Sequence, residues 1–140
     1  MKLRRGAHGK AVVIPADPVH LTGNLFVPDD ARGLVVFAHG SGSSRLSPRN
    51  RYVAEILNGG RLATLLFDLL TPDEEIIDMR TRELRFDIPL LSWRLVQTVD
   101  WVVDLPEIQG LDVGLFGAST GAAAAEFFRG GGLFTGCCTE

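Results

Sequence analysis

The chain has 140 residues, 46% of them hydrophobic and 22% charged, with 14 Lys and Arg against 17 Asp and Glu for a formal net charge of -3. That length fits one domain with a core of its own, and the composition is that of an ordinary globular protein. The basic residues form no dense run, which argues against nucleic-acid binding by phosphate neutralisation, and no apolar segment reaches the roughly 20 residues that span a bilayer.

The N-terminal MKLRRGAHGK is basic, but the AVVIPADP behind it is too short and proline-broken for a secretory core, so the cytoplasm is the expected location. Residues 12–14 and 25–27 are short β-rich runs. Thr22-Gly23-Asn24 supplies a turn between them, predicting a hairpin that carries His20 as a half-exposed strand residue. Residues 34–38 are apolar without alternation, the pattern of a strand covered on both faces, and HGSGSS marks a loop leaving its C-terminal end. In SPRNRYVAEILNGG, Ser47 caps a helix, Pro48 suits its first turn and Asn58-Gly59-Gly60 stops it. Tyr52, Val53, Ile56 and Leu57 are expected along one apolar face of that helix.

Residues 62–67 form a second buried run. TPDEEIIDMRTRELRF alternates acids and bases and reads as a surface excursion, part helical. Its Arg80, Arg82 and Arg85 would attract an anionic ligand if the stretch lined a pocket, whereas a solvated, salt-bridged surface is the plainer reading. A long helix is predicted from the cap Asp87, with Ile88, Leu91, Leu95, Val99 and Val102 as its apolar stripe and a stop at Leu105-Pro106. A third buried strand over 111–116 and a third helix in TGAAAAEFFR follow. The tail GGGLFTGCCTE is glycine-rich with no predicted strand, and its adjacent Cys137 and Cys138 imply neither a disulfide framework nor a metal site. Alternating strands and helices predict a parallel sheet with the hairpin as an antiparallel edge.

Gly117-Ala118-Ser119-Thr120-Gly121 matches G-x-S-x-G, a weak pattern alone. Its setting between a buried strand and a helix is what a nucleophile elbow requires. A tight strand-to-helix turn needs flanking residues without bulk, which Gly117 and Gly121 meet. The turn would lift the Ser119 hydroxyl above a helix N-terminus, where amide dipoles favour developing negative charge. The earlier loop His39-Gly40-Ser41-Gly42-Ser43-Ser44 is placed to turn a backbone N–H near Ser41 toward the same point, forming an oxyanion hole with the amide of Thr120. His39 and Gly40 would support that loop. It lacks the G-K-[ST] ending of a P-loop and the spacing of a dinucleotide fingerprint, which leaves a nucleotide-binding domain remote.

Together, LVVFAHGSGSS, SPRNRYVAEILN, LATLLFDLLTPDEE, RELRFDI and GLFGASTGAAAA resemble the α/β-hydrolase superfamily, and within it the dienelactone-hydrolase-like branch, over residues 10–126. The resemblance implies an α/β-hydrolase-type sheet in three layers, mostly parallel, with an N-terminal antiparallel hairpin. It implies Ser119 as nucleophile, the amides of Thr120 and of the residue near Ser41 as oxyanion hole, an ester or lactone substrate, and no cofactor. Many dienelactone hydrolases use cysteine at the nucleophile; serine points to esterase-like relatives.

The superfamily's triad runs Ser, then Asp or Glu, then His along the chain. After Ser119 only Glu126 and Glu140 are acidic and there is no histidine; His8, His20 and His39 all precede it. Glu126 lies about ten ångströms along the elbow helix and is out of reach of the serine. Asp68, at the end of the second buried run, faces the expected cleft and would order its loops. The expectation is therefore one partial α/β-hydrolase domain with a core over 10–128, an atypical tail over 129–140, and its C-terminal strands and helices missing, nearly inactive alone. The strand over 111–116 would then be an exposed apolar edge open to self-association. A non-catalytic small-molecule-binding protein of the same fold is the alternative.

Overall fold

The computed structural model describes residues 9–38 and 45–117 and the backbone of 136–139. β1 (Lys10–Ala16) pairs antiparallel with β2 (Val19–Phe26), and β2 pairs antiparallel with β4 (Leu62–Phe67). From β4 inward the sheet is parallel, through β3 (Gly33–Ala38), β5 (Asp112–Gly117) and β6 (Gly136–Thr139). The six strands lie in the order β1-β2-β4-β3-β5-β6. The hairpin is thus the antiparallel edge that the sequence predicts.

The hairpin's turn lies elsewhere than expected. Ala16 pairs with Val19, so the chain reverses at Asp17-Pro18, while Thr22-Gly23-Asn24 continues β2. Gly23 answers a packing need and not a turn: a Cβ there would meet the Leu66 carbonyl oxygen and the Phe67 Cβ, each at 3.0 Å. His20 is an exposed residue of β2, opposite Pro15.

Three helices connect the strands. α1 (Pro48–Gly59) starts as predicted, with the Ser47 hydroxyl accepting from the Asn50 N–H, and ends at Gly60. Its buried face differs from the expected one. Asn50 and Ala54 are buried, Val53 and Leu57 partly so, and Tyr52 and Ile56 are 65% and 58% exposed. The short Ala54 faces Phe37 and Leu66 with Val53 and Leu57 packed beside it, while Tyr52 and Ile56, two positions to either side, fall about 200° round the helix and point away from the sheet. α2 (Pro72–Thr81) follows β4 directly and opens with a capping box between Thr71 and Glu74. A 3-10 turn (Leu84–Phe86) leads to α3 (Ile88–Val103), capped by Asp87, whose side chain accepts from the Leu90 N–H. The predicted α3 stripe is the observed one: Leu91, Leu95, Val99 and Val102 are buried and Ile88 packs at their margin.

Side chains alternate across a sheet, and neighbouring residues therefore divide between two cores. Val36 and Leu65 join Leu95 and Val102 under α3, whereas Phe37 and Leu66 join Ala54 under α1. α1 and α3 thus lie on opposite faces, which makes three layers. Burial from both sides explains why β3 and β4 are apolar without alternation. The helix predicted in TGAAAAEFFR lies outside the described residues.

The tail departs from the sequence reading. Gly136–Thr139 is a strand parallel to β5, with Gly114 opposite Gly136 and Gly117 opposite Thr139. β5 is therefore not the expected bare edge over its C-terminal half. Four residues rich in glycine and cysteine carry little strand signal by themselves; the ladder offered by β5 supplies what local propensity does not.

Candidate active site

The parallel strands end together at one edge of the sheet. Ala38, the last residue of β3, pairs with Gly117, the last residue of β5. The chain beyond Ala38 enters the HGSGSS loop, and the chain beyond Gly117 enters the segment with Ser119. The two segments singled out from the sequence therefore leave neighbouring strands in register, at adjacent points of the same edge. Of the site residues named above, Gly117 is described, as the buried end of β5. His39, Gly40, Ser41, Ser119, Thr120 and Gly121 lie outside the described residues.

Around those two exits the edge is built from charged groups that the sequence reading barely touched. Asp68 directly follows β4, and its own N–H donates to the Thr22 carbonyl at 3.0 Å. Its carboxylate grips Arg45, the residue after the HGSGSS loop. The Arg45 backbone N–H donates to Asp68 Oδ1 at 2.8 Å, and Arg45 Nη1 donates to Oδ2 at 3.2 Å. Both side chains are mostly shielded, 22% and 17% exposed, so water and salt screen the pair less than a surface bridge. Asp68 was expected to order loops at this edge; Arg45 was missed, because a single arginine after a glycine-serine run has no sequence signature.

Behind Asp68 the turn into α2 is braced from below. Arg94 projects from α3, with Nη1 and Nη2 donating to the two Glu74 carboxylate oxygens at 2.6 and 2.7 Å and Nη1 also to the Leu69 carbonyl at 2.9 Å. Glu74 Oε1 in turn accepts from the Thr71 N–H at 2.8 Å. The Arg94 hydrogen bonds hold Glu74 below the usual carboxylate range, against the opposing effect of burial. Buried Asp78 accepts from the Arg85 backbone N–H and from Arg85 Nε, at 3.0 and 2.8 Å. Arg85 is thereby committed to a salt bridge, but one with a buried carboxylate and not the solvated surface of the plainer sequence reading. Burial raises Glu75, and the carboxylates of Asp68 and Asp78 add to that, with Arg45 opposing.

A water-sized recess lies between α1 and the sheet, lined by Arg45, Arg51, Glu55, Asn58 and Thr64. It is too small for an organic substrate. Among the described residues no three His, Cys, Asp or Glu side chains converge as a metal-holding group, and no helix is long and apolar enough to cross a membrane.

The fold is that of the α/β-hydrolases. Within that fold the chain is dienelactone-hydrolase-like: it superposes on a dienelactone hydrolase from Anabaena variabilis with a TM-score of 0.86 and 55% identity, over 93% of this chain and 60% of that one. Est1E from Butyrivibrio proteoclasticus shares the fold at a TM-score of 0.69 and 20% identity, over 85% of this chain and 44% of that one. Over 114 residues, 81% of this chain, the sequence is 58% identical to a Mycobacterium tuberculosis protein named "Putative phosphoribosyl transferase". The match spans a quarter of that protein's length. No protein-family model matches the chain.

Proposed function

We propose that the chain is the nucleophile-bearing part of a serine hydrolase of the α/β type, acting on ester, lactone or related acyl bonds. The observation that carries this reading is the pairing of Ala38 with Gly117, which starts the HGSGSS and A-S-T-G segments side by side at one sheet edge. The 55% identity to a dienelactone hydrolase supports it. The transferase name belongs to a protein of which this chain matches a quarter, and the chain has no phosphate-binding fingerprint to support carrying that name over.

In this reading the Ser119 hydroxyl attacks the acyl carbon while a histidine takes its proton. The amides of Thr120 and of the residue near Ser41 hold the oxyanion, and water then clears the acyl-enzyme. Gly117 and Gly121 leave room for the turn, and His39 and Gly40 support the oxyanion loop. No histidine lies among residues 120–140. These 140 residues are accordingly assigned no base and acid pair in the superfamily's order, and no more than residual turnover.

The test has two arms. Purified chain is incubated with a fluorophosphonate and with small aryl esters, with and without imidazole as a substitute base. With no base of its own for Ser119, the chain is expected to show negligible turnover and labelling, and imidazole is expected to raise labelling that is lost in Ser119→Ala. Labelling that imidazole does not raise, or that survives Ser119→Ala, would favour a non-catalytic binding protein. Robust turnover without imidazole, abolished by Ser119→Ala, would assign the base to His39.

A further inference from the structure

Among the described residues, four buried side-chain atoms have no hydrogen-bond partner: Asn24 Oδ1, Arg45 Nε, Arg51 Nε and Thr98 Oγ1. The first three belong to residues that line the recess between α1 and the sheet. They come from separate pieces of chain. Asn24 is a β2 residue opposite Leu66, Arg45 lies three residues before α1, and Arg51 is the fourth residue of that helix. Arg45 meets Asp68 through its backbone N–H and Nη1, on a different part of the side chain from Nε. Leaving a polar atom buried and unsatisfied is costly, so three such atoms around one small space point to a shared partner.

We infer that this recess binds one ordered water, which accepts from the Nε–H groups of Arg45 and Arg51 and donates to Asn24 Oδ1. Size and chemistry select that ligand together. The cavity volume is about 10 Å³, which matches the roughly 10–15 Å³ that a single water requires and excludes anything organic. Two of the three atoms are donors and one is an acceptor, so the ligand must accept and donate at once. A metal cation finds no lone pair on either N–H, and a halide has no hydrogen to give Asn24. Water does both, and three bonds are the usual number for a buried one. It would join β2 to α1 and to the residue leading into it, holding the antiparallel part of the sheet against the helix layer. The assignment is independent of the hydrolase reading.

The test follows the arginine Nε–H signals of the nitrogen-15-labelled chain by NMR, reading their exchange with solvent and their magnetisation transfer from water. Both Arg45 and Arg51 are expected to show the transfer of a long-lived water contact, and to exchange at least about tenfold more slowly than exposed Arg80 and Arg82. Asn24→Leu removes the acceptor without touching either arginine. If one water serves all three, that change is expected to abolish the contact at both arginines and to speed their exchange about tenfold, while Arg94, on α3 across the sheet, stays within about twofold. The inference is overturned by a water contact at neither arginine or at one alone, by an Asn24→Leu chain in which both are unchanged, or by an equal rise at Arg94. It is also overturned if added chloride shifts either Nε–H signal, since the Asn24 amide would then present its NH2 and the recess would hold an anion. Should Asn24→Leu not fold, Arg51→Met decides at Arg45: faster Nε–H exchange there supports the shared water, and unchanged exchange refutes it.

Discussion

Arg94 and Glu74 form a two-pronged ion pair, 2.6 and 2.7 Å between donor and acceptor atoms, that joins α3 to the turn between β4 and α2. The partners are unequally shielded, with the arginine side chain 5% exposed and the carboxylate 21%. Breaking a buried pair costs about 3–5 kcal/mol when the survivor cannot reach water. Glu74→Ala strands the deeper charge and also removes half of the capping box, so it is expected at about 4 kcal/mol. Arg94→Leu strands a carboxylate that can still be hydrated, and about 2 kcal/mol is expected. Urea unfolding of both variants checks the order; a costlier Arg94→Leu would mean that the burial asymmetry does not govern the pair.

Acidification acts on the same region. Glu74 sits below the usual carboxylate range because Arg94 donates to it, and Asp78 does so because the Arg85 contacts outweigh its burial. Their folded values lie below their unfolded ones, so the stability they supply is complete above the unfolded range and lost as pH falls through the folded values. The Tm is expected to be flat from neutrality to about pH 5 and to drop below about pH 4. Thermal melts across that range provide the check, and a Tm that held steady to pH 3 would refute it.

Glu75 has the opposite sign. Burial first, then the neighbouring carboxylates, raise it, so its ionised form costs stability above its folded value and the cost is relieved on acidification. Glu75→Gln is expected to raise the Tm at pH 7 and to change it less at pH 4. A lower Tm at pH 7 would show that Glu75 makes a favourable contact outweighing this repulsion.

Two glycines separate close packing from backbone entropy. Gly23→Ala pushes a methyl group against the Leu66 carbonyl oxygen and the Phe67 Cβ of β4, each at 3.0 Å, and is expected to cost about 1–3 kcal/mol. A Cβ at Gly59, the last residue of α1, meets nothing within 4 Å, so Gly59→Ala is expected to gain about 0.5 kcal/mol. Denaturant midpoints of the two variants should move in opposite directions.

Thr98 lies fully buried on α3, and its Oγ1 has no hydrogen-bond partner among the described residues. Valine keeps the shape and removes the unsatisfied hydroxyl. Thr98→Val is expected to stabilise by about 1 kcal/mol, read as a higher urea midpoint at constant m. A lower midpoint would mean that the hydroxyl is bonded after all.

What residue order determined was local. Continuous apolar runs marked β3, β4 and β5 because strands covered on both faces need no polar side. Ser47, Asp87 and the stripe from Leu91 to Val102 placed α1 and α3 because caps and periodicity act within a few residues. The Thr71–Glu74 capping box was equally open to inspection in T-P-D-E and marks the start of α2. Arg94 and Thr98 fall at helical spacing within the α3 stripe, a signal that two polar groups would be buried there, but their partners are not adjacent in sequence. Only the tertiary structure decided that Gly23 serves contact with β4 and not a turn, that Ala54 and not Tyr52 faces the sheet, and that Gly136–Thr139 pairs with β5. It alone joined Arg45 to Asp68 across 23 residues. Each of these depends on which surface a distant segment presents, and close packing between remote pieces of chain leaves no periodic trace in the order of residues.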